Sequence, residues 1–226
     1  RKTDWMRRLV RENSLSSNDF ILPIFVTEGK NKKIPIKTMP EVYRYSEDKL
    51  SQIVDRALKL KIPMVAIFPQ TNSSLKDSYG SEALNENNLV CKAIKKIKDR
   101  YKNEIGIMTD VALDPYTSHG HDGILVDKKI LNDETIEILI QQSLLQAQMG
   151  SDVIAPSDMM DGRIGEIRQE LDNNSLKEIK ILSYAVKYAS SFYGPFRDAV
   201  GSKKSLKGDK KTYQMDFSNS EEALRE

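Results

Sequence analysis

The sequence has little of what several protein classes require. It has a single cysteine, Cys91, among 226 residues, which excludes an internal disulfide and disfavours a zinc site built from thiolates. No apolar run approaches the length of a membrane-spanning helix, and the N-terminus has no signal-peptide pattern. We therefore expect a cytoplasmic protein, with an organelle as the open alternative. The chain begins at Arg1 rather than methionine and stops within a helix-like pattern at Glu226, so we also expect a fragment.

Neither sign of charge dominates the chain. Lysine and arginine total 35, aspartate and glutamate total 33, and the formal net charge is +2. Such a balance gives no electrostatic footprint for nucleic acid or for an anionic membrane. The apolar share of 39% is compatible with a sizeable core, and the length fits one large domain. We predict a globular domain without nucleic-acid or membrane partners.

Apolar runs of strand length alternate with segments of helical periodicity along the chain. The predicted strands are residues 20–26, 64–68, 105–113, 153–155 and 179–187, with 213–215 as the start of a sixth. The predicted helices are residues 46–61, 88–100, 133–149 and 160–171, and the segment 30–45 is predicted as a loop. This alternation implies parallel strands joined by helical crossovers.

Two α/β folds fit that alternation: an open doubly wound sheet and a (β/α)8 TIM-type barrel. No G-x-G-x-x-G motif follows the first strand, so a dinucleotide-binding sheet has no support. Polar residues at the ends of the third, fourth and fifth strands, Asp110, Ser157 and Lys187, fit the catalytic face of a barrel. A complete barrel takes roughly 250 residues. We predict residues 20–226 to be an incomplete barrel of about five to six strands, preceded by an N-terminal arm, residues 1–19, for contacts between subunits.

Lys187, at the end of the predicted fifth strand, is the first candidate for chemistry. One interpretation is a lysine whose stem packs on the protein while its ammonium reaches solvent. The other is a desolvated amine near further cations, which can form a Schiff base with a carbonyl substrate. Arg197 and the lid segment, which we define as residues 202–211, supply such cations and also suit a substrate carboxylate. The lysines of the lid segment are Lys203, Lys204, Lys207, Lys210 and Lys211.

The segment DVALDPYTSHGHDG, residues 110–123, gathers three aspartates and two histidines. Aspartates in such a loop commonly cap turns, here around Pro115 and Gly120. The alternative is a cation site, and oxygen ligands suit magnesium better than zinc. Both interpretations stay open, and we expect His119 and His121 to face solvent.

Two further segments carry candidates with structural alternatives. In APSDMMDGR, residues 155–163, Ser157 and Asp158 are each good helix N-caps, which is the simpler interpretation. Tyr184 precedes Lys187 by three residues and is either core packing or a proton donor.

Ordered blocks across essentially the whole chain resemble the porphobilinogen synthase (5-aminolevulinate dehydratase) family. They include LSYAVKYASSFYGPFRDA, GSEALNENNLVCKAI, DVALDPYTSHGHDGIL, GSDVIAPSDMMDGRIGEIR and YQMDFSNSEEALRE. The resemblance implies a hydro-lyase that condenses two 5-aminolevulinate molecules to porphobilinogen through a lysine Schiff base, for heme or chlorophyll synthesis. It also implies a homo-oligomer, octameric in the family, activated by magnesium.

The resemblance assigns roles to individual residues. It implies four catalytic residues: Lys187, Asp110, Ser157 and Tyr184. It implies four substrate-binding residues: Arg197, Lys210, Gln214 and Phe192. It places the family's second Schiff-base lysine on a strand beyond Glu226.

The same resemblance bears on metals. Zinc-dependent members carry three cysteines where this sequence has Ala112, Asp114 and Asp122, so it resembles the aspartate-type, zinc-independent branch, without catalytic zinc. Glu226, with Asp161, is the candidate for the activating magnesium. Asp114 and Asp122 are candidates for a further cation.

Two other functions stay as alternatives. One is another Schiff-base barrel lyase, similar to a class I aldolase. The other is a truncated, inactive paralogue that acts only as an assembly subunit.

Overall fold

The apolar runs of the sequence form the strands of one central sheet in the computed structural model, which describes residues 1–202 and 205–226. Lys203 and Lys204, predicted as cations of the lid segment, lie outside the described residues. The strands of this sheet are β1 Ile21–Thr27, β2 Lys33–Pro35, β3 Tyr43–Tyr45, β4 Met64–Gln70, β5 Gly106–Val111, β8 Val153–Pro156 and β9 Lys180–Ile181. Two further strands, β6 Ile124–Val126 and β7 Lys129–Leu131, pair with each other in a separate antiparallel sheet. The α-helices are α1 Asp4–Leu9, α2 Leu50–Lys59, α3 Leu89–Tyr101, α4 Asn132–Gln148, α5 Arg163–Asn173, α6 Gly194–Ala199 and α7 Ser220–Arg225.

The order of the strands identifies the architecture. The sheet runs β2-β3-β1-β4-β5-β8-β9, and the pairs β1–β4, β4–β5, β5–β8 and β8–β9 are all parallel. These five strands are therefore neighbours in chain order, whereas a doubly wound sheet reverses its order at a switch point. The predicted incomplete (β/α)8 barrel is confirmed.

Alternate residues of the parallel strands pack on opposite faces, as the pleat requires. Ile24 and Ile67 face the helices and join a core with α2 and α3. Their neighbours Phe25 and Phe68 face the other way and pack with Met108 and residues of α6. Burial on both faces explains why these runs are continuously apolar rather than alternating.

The N-terminal segment contributes nothing to this core. Helix α1 has no buried residue, and Trp5 and Leu9 are 58% and 76% exposed. The division into an arm and a barrel stays a prediction. No helix in the described ranges is long and apolar enough to cross a membrane.

The last predicted strand is shorter than expected. Only Lys180–Ile181 pair as β9, although single hydrogen bonds continue from Leu182 N to Ile154 O and from Tyr184 N to Pro156 O. The backbone φ of Val186 is +54°, outside the range of a strand. Pairing therefore stops before the chain reaches Lys187.

Other elements also begin or end at residues different from those predicted. The segment predicted as a loop, 30–45, contains β2 and β3. The helix predicted from residue 160 begins at Arg163, because Met159 and Gly162 both have positive φ angles. Residues 213–215, predicted as the start of a sixth strand, form an isolated parallel bridge between Met215 and Tyr188 rather than a strand of several residues.

Candidate active site

A cavity of about 480 Å³ follows the inner face of the sheet to the carboxyl ends of β5 and β8. Its deep wall is apolar and includes Phe25, Phe68 and Met108. All four predicted catalytic residues and three of the four predicted substrate-binding residues line it. These are Lys187, Asp110, Ser157 and Tyr184, together with Arg197, Lys210 and Gln214.

Lys187 is buried, with only 9% of its surface exposed. Its Nζ donates a hydrogen bond to the carbonyl oxygen of Ser157 and lies 5.8 Å from the centre of the Tyr193 ring. The ammonium therefore faces the cavity, and the interpretation in which it reaches solvent is wrong. The positive φ of Val186 turns the chain immediately before Lys187.

Asp110 and Ser157 come from neighbouring strand ends and are hydrogen bonded. Ser157 Oγ donates to Asp110 Oδ1 over 2.6 Å. Burial raises the pKa of Asp110 to about 7; the bond from Ser157 opposes this rise, and the charge of Asp114 adds to it. A carboxyl group that titrates near neutral pH can both accept and donate a proton.

Lys210 forms a buried ionic cluster with two aspartates. Its Nζ lies 2.7 Å from Asp122 Oδ2 and 3.6 Å from Asp114 Oδ2. Burial raises the pKa of Asp114, whereas at Asp122 the cations Lys210 and Lys187 outweigh burial and lower the pKa. Burial would lower the pKa of Lys210, but the two carboxylates outweigh it and raise it. The ammonium thus lies beside the two carboxylates that were candidates for a metal.

The two histidines of the 110–123 segment are buried, each 4% exposed, so the expectation that they face solvent is wrong. His119 Nε2 lies 3.2 Å from the carbonyl oxygen of Ser78, and His119 Nδ1 accepts a hydrogen bond from His121 N. His121 contacts residues of and beside the lid segment. Apart from the bond between the two histidines, these partners lie far away in sequence, so the local pattern gave no signal for them.

The segment before α6 corrects one predicted substrate contact. Phe192 is 90% exposed and does not line the cavity. Tyr193 and Phe196 line it instead, because a helical turn at Ser191–Tyr193 reorients the chain just before α6. Sequence analysis missed Tyr193, although it adjoins the residue that was chosen.

Tyr184 and Gln214 complete the polar wall. Burial raises the pKa of Tyr184, which keeps its phenol protonated at neutral pH. Gln214 is 5% exposed, and its Oε1 has no hydrogen-bond partner among the described residues. Both side chains therefore present hydrogen-bonding groups to a ligand in the cavity.

The residues assigned to the activating magnesium lie in a second cleft, outside the active-site cavity. Glu226 and Asp161 line one cleft of about 730 Å³, but Glu226 Oε2 already accepts a hydrogen bond from Val186 N. No group of three or more histidine, cysteine, aspartate or glutamate side chains within the described residues is arranged to hold a metal ion. Cys91 is buried in α3, and burial raises the pKa of its thiol to about 11.

The fold and the cavity define a class of protein: an α/β barrel whose site is built around a buried lysine on the segment that follows the last strand. The sequence profile described as delta-aminolevulinic acid dehydratase matches residues 1–226, the whole chain. The chain belongs to the delta-aminolevulinic acid dehydratase family.

Individual relatives agree with the family match. The delta-aminolevulinic acid dehydratase of Bradyrhizobium diazoefficiens is 57% identical over 226 residues, which cover 100% of this chain and 64% of that protein. That of Methanothermus sociabilis is 48% identical, with 69% of its length covered. This chain therefore spans about two thirds of the length of these relatives.

A solved structure matches the fold closely. The delta-aminolevulinic acid dehydratase (porphobilinogen synthase) of Toxoplasma gondii, in complex with the reaction product porphobilinogen, superposes with a TM-score of 0.93. The two chains are 42% identical, and the match covers 99% of this chain and 64% of the other.

Proposed function

We propose that the full-length protein containing this chain condenses two molecules of 5-aminolevulinate to porphobilinogen, with loss of water, in tetrapyrrole biosynthesis. The observation that carries the proposal is the buried Lys187 amine, which faces the cavity beside the Asp110–Ser157 pair. Membership of the delta-aminolevulinic acid dehydratase family supports it. The family match also argues against the alternative of an aldolase-like lyase.

The first chemical step is proposed to take place at Lys187. Its unprotonated amine attacks the ketone carbon of one substrate, so that a C–N bond forms and the carbonyl oxygen becomes a hydroxyl. Loss of that hydroxyl as water then leaves a protonated imine. The step needs a group that accepts a proton from nitrogen and one that gives a proton to the departing oxygen.

Asp110 and Ser157 are proposed to carry those protons. Asp110 has a pKa of about 7, so both of its protonation states are populated at neutral pH. The 2.6 Å hydrogen bond from Ser157 gives a short path between the carboxylate and a hydroxyl in the same cavity. Tyr184, whose pKa is raised by burial, is proposed as a further hydrogen-bond donor.

Arg197, Lys210 and Gln214 are proposed to bind the substrate carboxylates. All three line the cavity. Lys210 already pairs with Asp122 and Asp114, so engaging a substrate means weakening those pairs. Arg197 is therefore proposed as the main partner, since a guanidinium also binds a carboxylate in a bidentate manner.

Metal use, assembly and location remain proposals. Zinc independence is proposed because aspartates and an alanine stand where thiolates would be needed. A magnesium role for Glu226 and Asp161 stays a prediction, and no step is derived from it. The exposed apolar side chains of the arm, among them Trp5 and Leu9, are proposed to pack on another copy of the chain in a homo-oligomer. A cytoplasmic location stays a prediction, since a relative named as chloroplastic, from Glycine max, is 47% identical.

The test is an assay of the full-length protein with 5-aminolevulinate and, separately, with sugar phosphates. We expect porphobilinogen from the first and no cleavage of the second. Lys187→Arg keeps the charge but removes the nucleophilic amine, so this matched variant should form no product. The truncated, inactive-paralogue alternative is tested by reading the encoding DNA: an authentic stop codon directly after Glu226 would favour it.

A further inference from the structure

The described part of the lid segment, residues 205–211, contacts the 110–123 segment, which we call the histidine loop, through its backbone. Lys207 N donates to the carbonyl oxygen of His119 over 3.0 Å. Gly120, with φ +76°, lies against Leu206, the residue before Lys207: a Cβ atom placed on Gly120 would be 2.7 Å from Leu206 N. The close approach therefore requires glycine at this position.

His121 adds a side-chain connection to the same segment. Its Nε2 lies 2.7 Å from the carbonyl oxygen of Lys207. A carbonyl oxygen only accepts hydrogen bonds, so we assign a proton to Nε2. In the neutral ring, Nδ1 is then an acceptor, and the Tyr213 hydroxyl 3.0 Å away donates to it. Both nitrogens of His121 therefore form hydrogen bonds, one with Lys207 and one with Tyr213, which precede and follow Lys210 in the sequence.

Tyr213 in turn contacts the loop that pairs with Lys210. Its hydroxyl oxygen accepts a hydrogen bond from Asp122 N over 3.4 Å. The carboxylate of Asp122 lies 2.7 Å from Lys210 Nζ. In the sequence, Lys210 therefore lies between Lys207 and Tyr213, both of which are hydrogen bonded to the histidine loop. Its ammonium pairs with the carboxylate of Asp122 in the same loop.

We propose that His121 is a positioning residue that, together with Tyr213, holds residues 205–211 of the lid segment against the cavity and thereby fixes the position of Lys210. The proposal deepens the proposed function, because Lys210 is there a substrate-binding residue. The contact between the loop and the lid segment is also measurable without any turnover. A buried histidine that served only to fill space would need neither of these two hydrogen bonds.

The two nitrogens can be separated by substitution. His121→Asn places a polar atom near the position of Nδ1, facing Tyr213, whereas the side chain of His121→Gln reaches toward the position of Nε2 and Lys207. His121→Leu removes both hydrogen bonds, and Tyr213→Phe removes one hydroxyl with little change in shape. His119→Asn is the matched control: it lies in the same loop and keeps an acceptor near Nδ1 for His121 N, but it loses the contact with Ser78.

The experiment combines limited trypsin digestion with steady-state kinetics on the full-length protein. Cleavage within residues 202–211 is followed by mass spectrometry, and KM and kcat are measured with 5-aminolevulinate. We expect His121→Leu and Tyr213→Phe to raise the rate of cleavage and the KM by about 2- to 10-fold, the range for one lost hydrogen bond. His121→Gln should restore slow cleavage in part, and His119→Asn should resemble the parent in both measurements.

The outcomes separate this inference from the proposed function. If the protein forms no porphobilinogen, the cleavage rates still decide whether His121 holds the lid segment. Unchanged cleavage and unchanged KM in a folded Tyr213→Phe protein would overturn the inference. So would equal effects of His119→Asn and His121→Leu, because the loop would then act only through general packing.

Discussion

The hydroxyl of Ser157 donates a 2.6 Å hydrogen bond to a carboxylate oxygen of Asp110. Ser157 directly follows β8, Asp110 is the penultimate residue of the neighbouring β5, and the two are 47 positions apart in sequence. The bond stabilises the charged form of a carboxyl that burial disfavours, and the pKa of Asp110 is about 7 as a result of these opposing effects. The pair therefore sets the pH range in which the site can exchange protons.

Ser157→Ala should move the pH dependence of activity to higher pH. Without the hydroxyl, the Asp110 carboxylate loses a stabilising hydrogen bond and its pKa rises further, by about one unit for a bond of ordinary strength. If the carboxylate is the form of Asp110 that acts in catalysis, the apparent pKa of the acid limb of the kcat/KM profile rises by the same amount. The measurement is a pH–rate profile of the full-length protein, and an acid limb that stays in place would contradict the role of the pair.

Asp110→Asn should abolish activity but stabilise the fold at alkaline pH. The folded pKa of about 7 lies above the ordinary value of 3.8, so the folded state binds more protons than the unfolded state between these values. The contribution of Asp110 to stability is therefore favourable below pH 4 and is lost as the pH rises through 7. Asparagine resembles the protonated form, so the variant should gain on the order of 1–4 kcal/mol above pH 7.

Thermal unfolding at two pH values checks this prediction. The gain in Tm should be present at pH 8 and absent near pH 4. Asp158→Asn is a useful comparison, because Asp158 is also buried but pairs with Arg163 at 3.2 Å. Burial also raises the pKa of Asp158 to about 7 against the charge of Arg163, so Asp158→Asn should gain Tm at pH 8 as well, but less than Asp110→Asn because Arg163 loses its partner. A lower Tm for Asp110→Asn at pH 8 would contradict the account of this carboxyl.

Removing Lys210 should cost stability as well as substrate binding. Lys210→Met leaves the buried carboxylates of Asp122 and Asp114 without their nearest cation, a loss of about 3–5 kcal/mol in the free energy of unfolding. Asp122→Asn in the same protein should recover part of that loss, since one of the two charges is then gone. Denaturant unfolding of the two single variants and the double variant gives the coupling energy. Additive effects would show that the pair is not formed.

Arg197→Ala should act differently from the loss of Lys210. Arg197 is only partly buried and lines the cavity, so its removal should leave the free energy of unfolding nearly unchanged. It should raise KM for 5-aminolevulinate steeply, because a charge-assisted partner of a carboxylate is worth about 2–5 kcal/mol when desolvated. Steady-state kinetics of Arg197→Ala and Arg197→Lys measure the effect. A small change in KM for both would place the carboxylate elsewhere.

Periodicity and motif spacing predicted much of the fold, and the reasons are local. The parallel strands are continuous apolar runs, and Asp110 and Ser157 lie at their ends, where a barrel gathers its site. Irregular segments behaved differently. The positive φ of Val186 and the helical turn at Ser191–Tyr193 change which side chains face inward, so Tyr193 rather than Phe192 reaches the cavity.

The burial of the basic and imidazole groups was also beyond the sequence. His121 finds its partners 86 and 92 positions away, in and beside the lid segment. Lys210 is 6% exposed because it pairs with aspartates about 90 positions earlier, although a run of lysines usually lies on a solvated face. Contacts of this range depend on how the loops pack after the barrel strands are in place. The local sequence pattern therefore does not predict these contacts.

Chelation should separate zinc from magnesium. The loop offers Asp114 and Asp122 without any thiolate, and both carboxylates contact Lys210. We expect the full-length protein to keep its activity under a zinc-selective chelator and to respond to added magnesium. Metal analysis of the purified protein is the companion measurement. Stoichiometric zinc, with activity lost when it is removed, would contradict the prediction.

The most direct test of the account is reductive trapping at Lys187. The full-length protein is incubated with 5-aminolevulinate and borohydride, and its peptides are then analysed by mass spectrometry. The account predicts a covalent adduct on the peptide that contains Lys187, because its buried amine faces the cavity beside Asp110 and Ser157. An enzyme that makes porphobilinogen while Lys187 stays unmodified, with adducts only on other lysines, would contradict it.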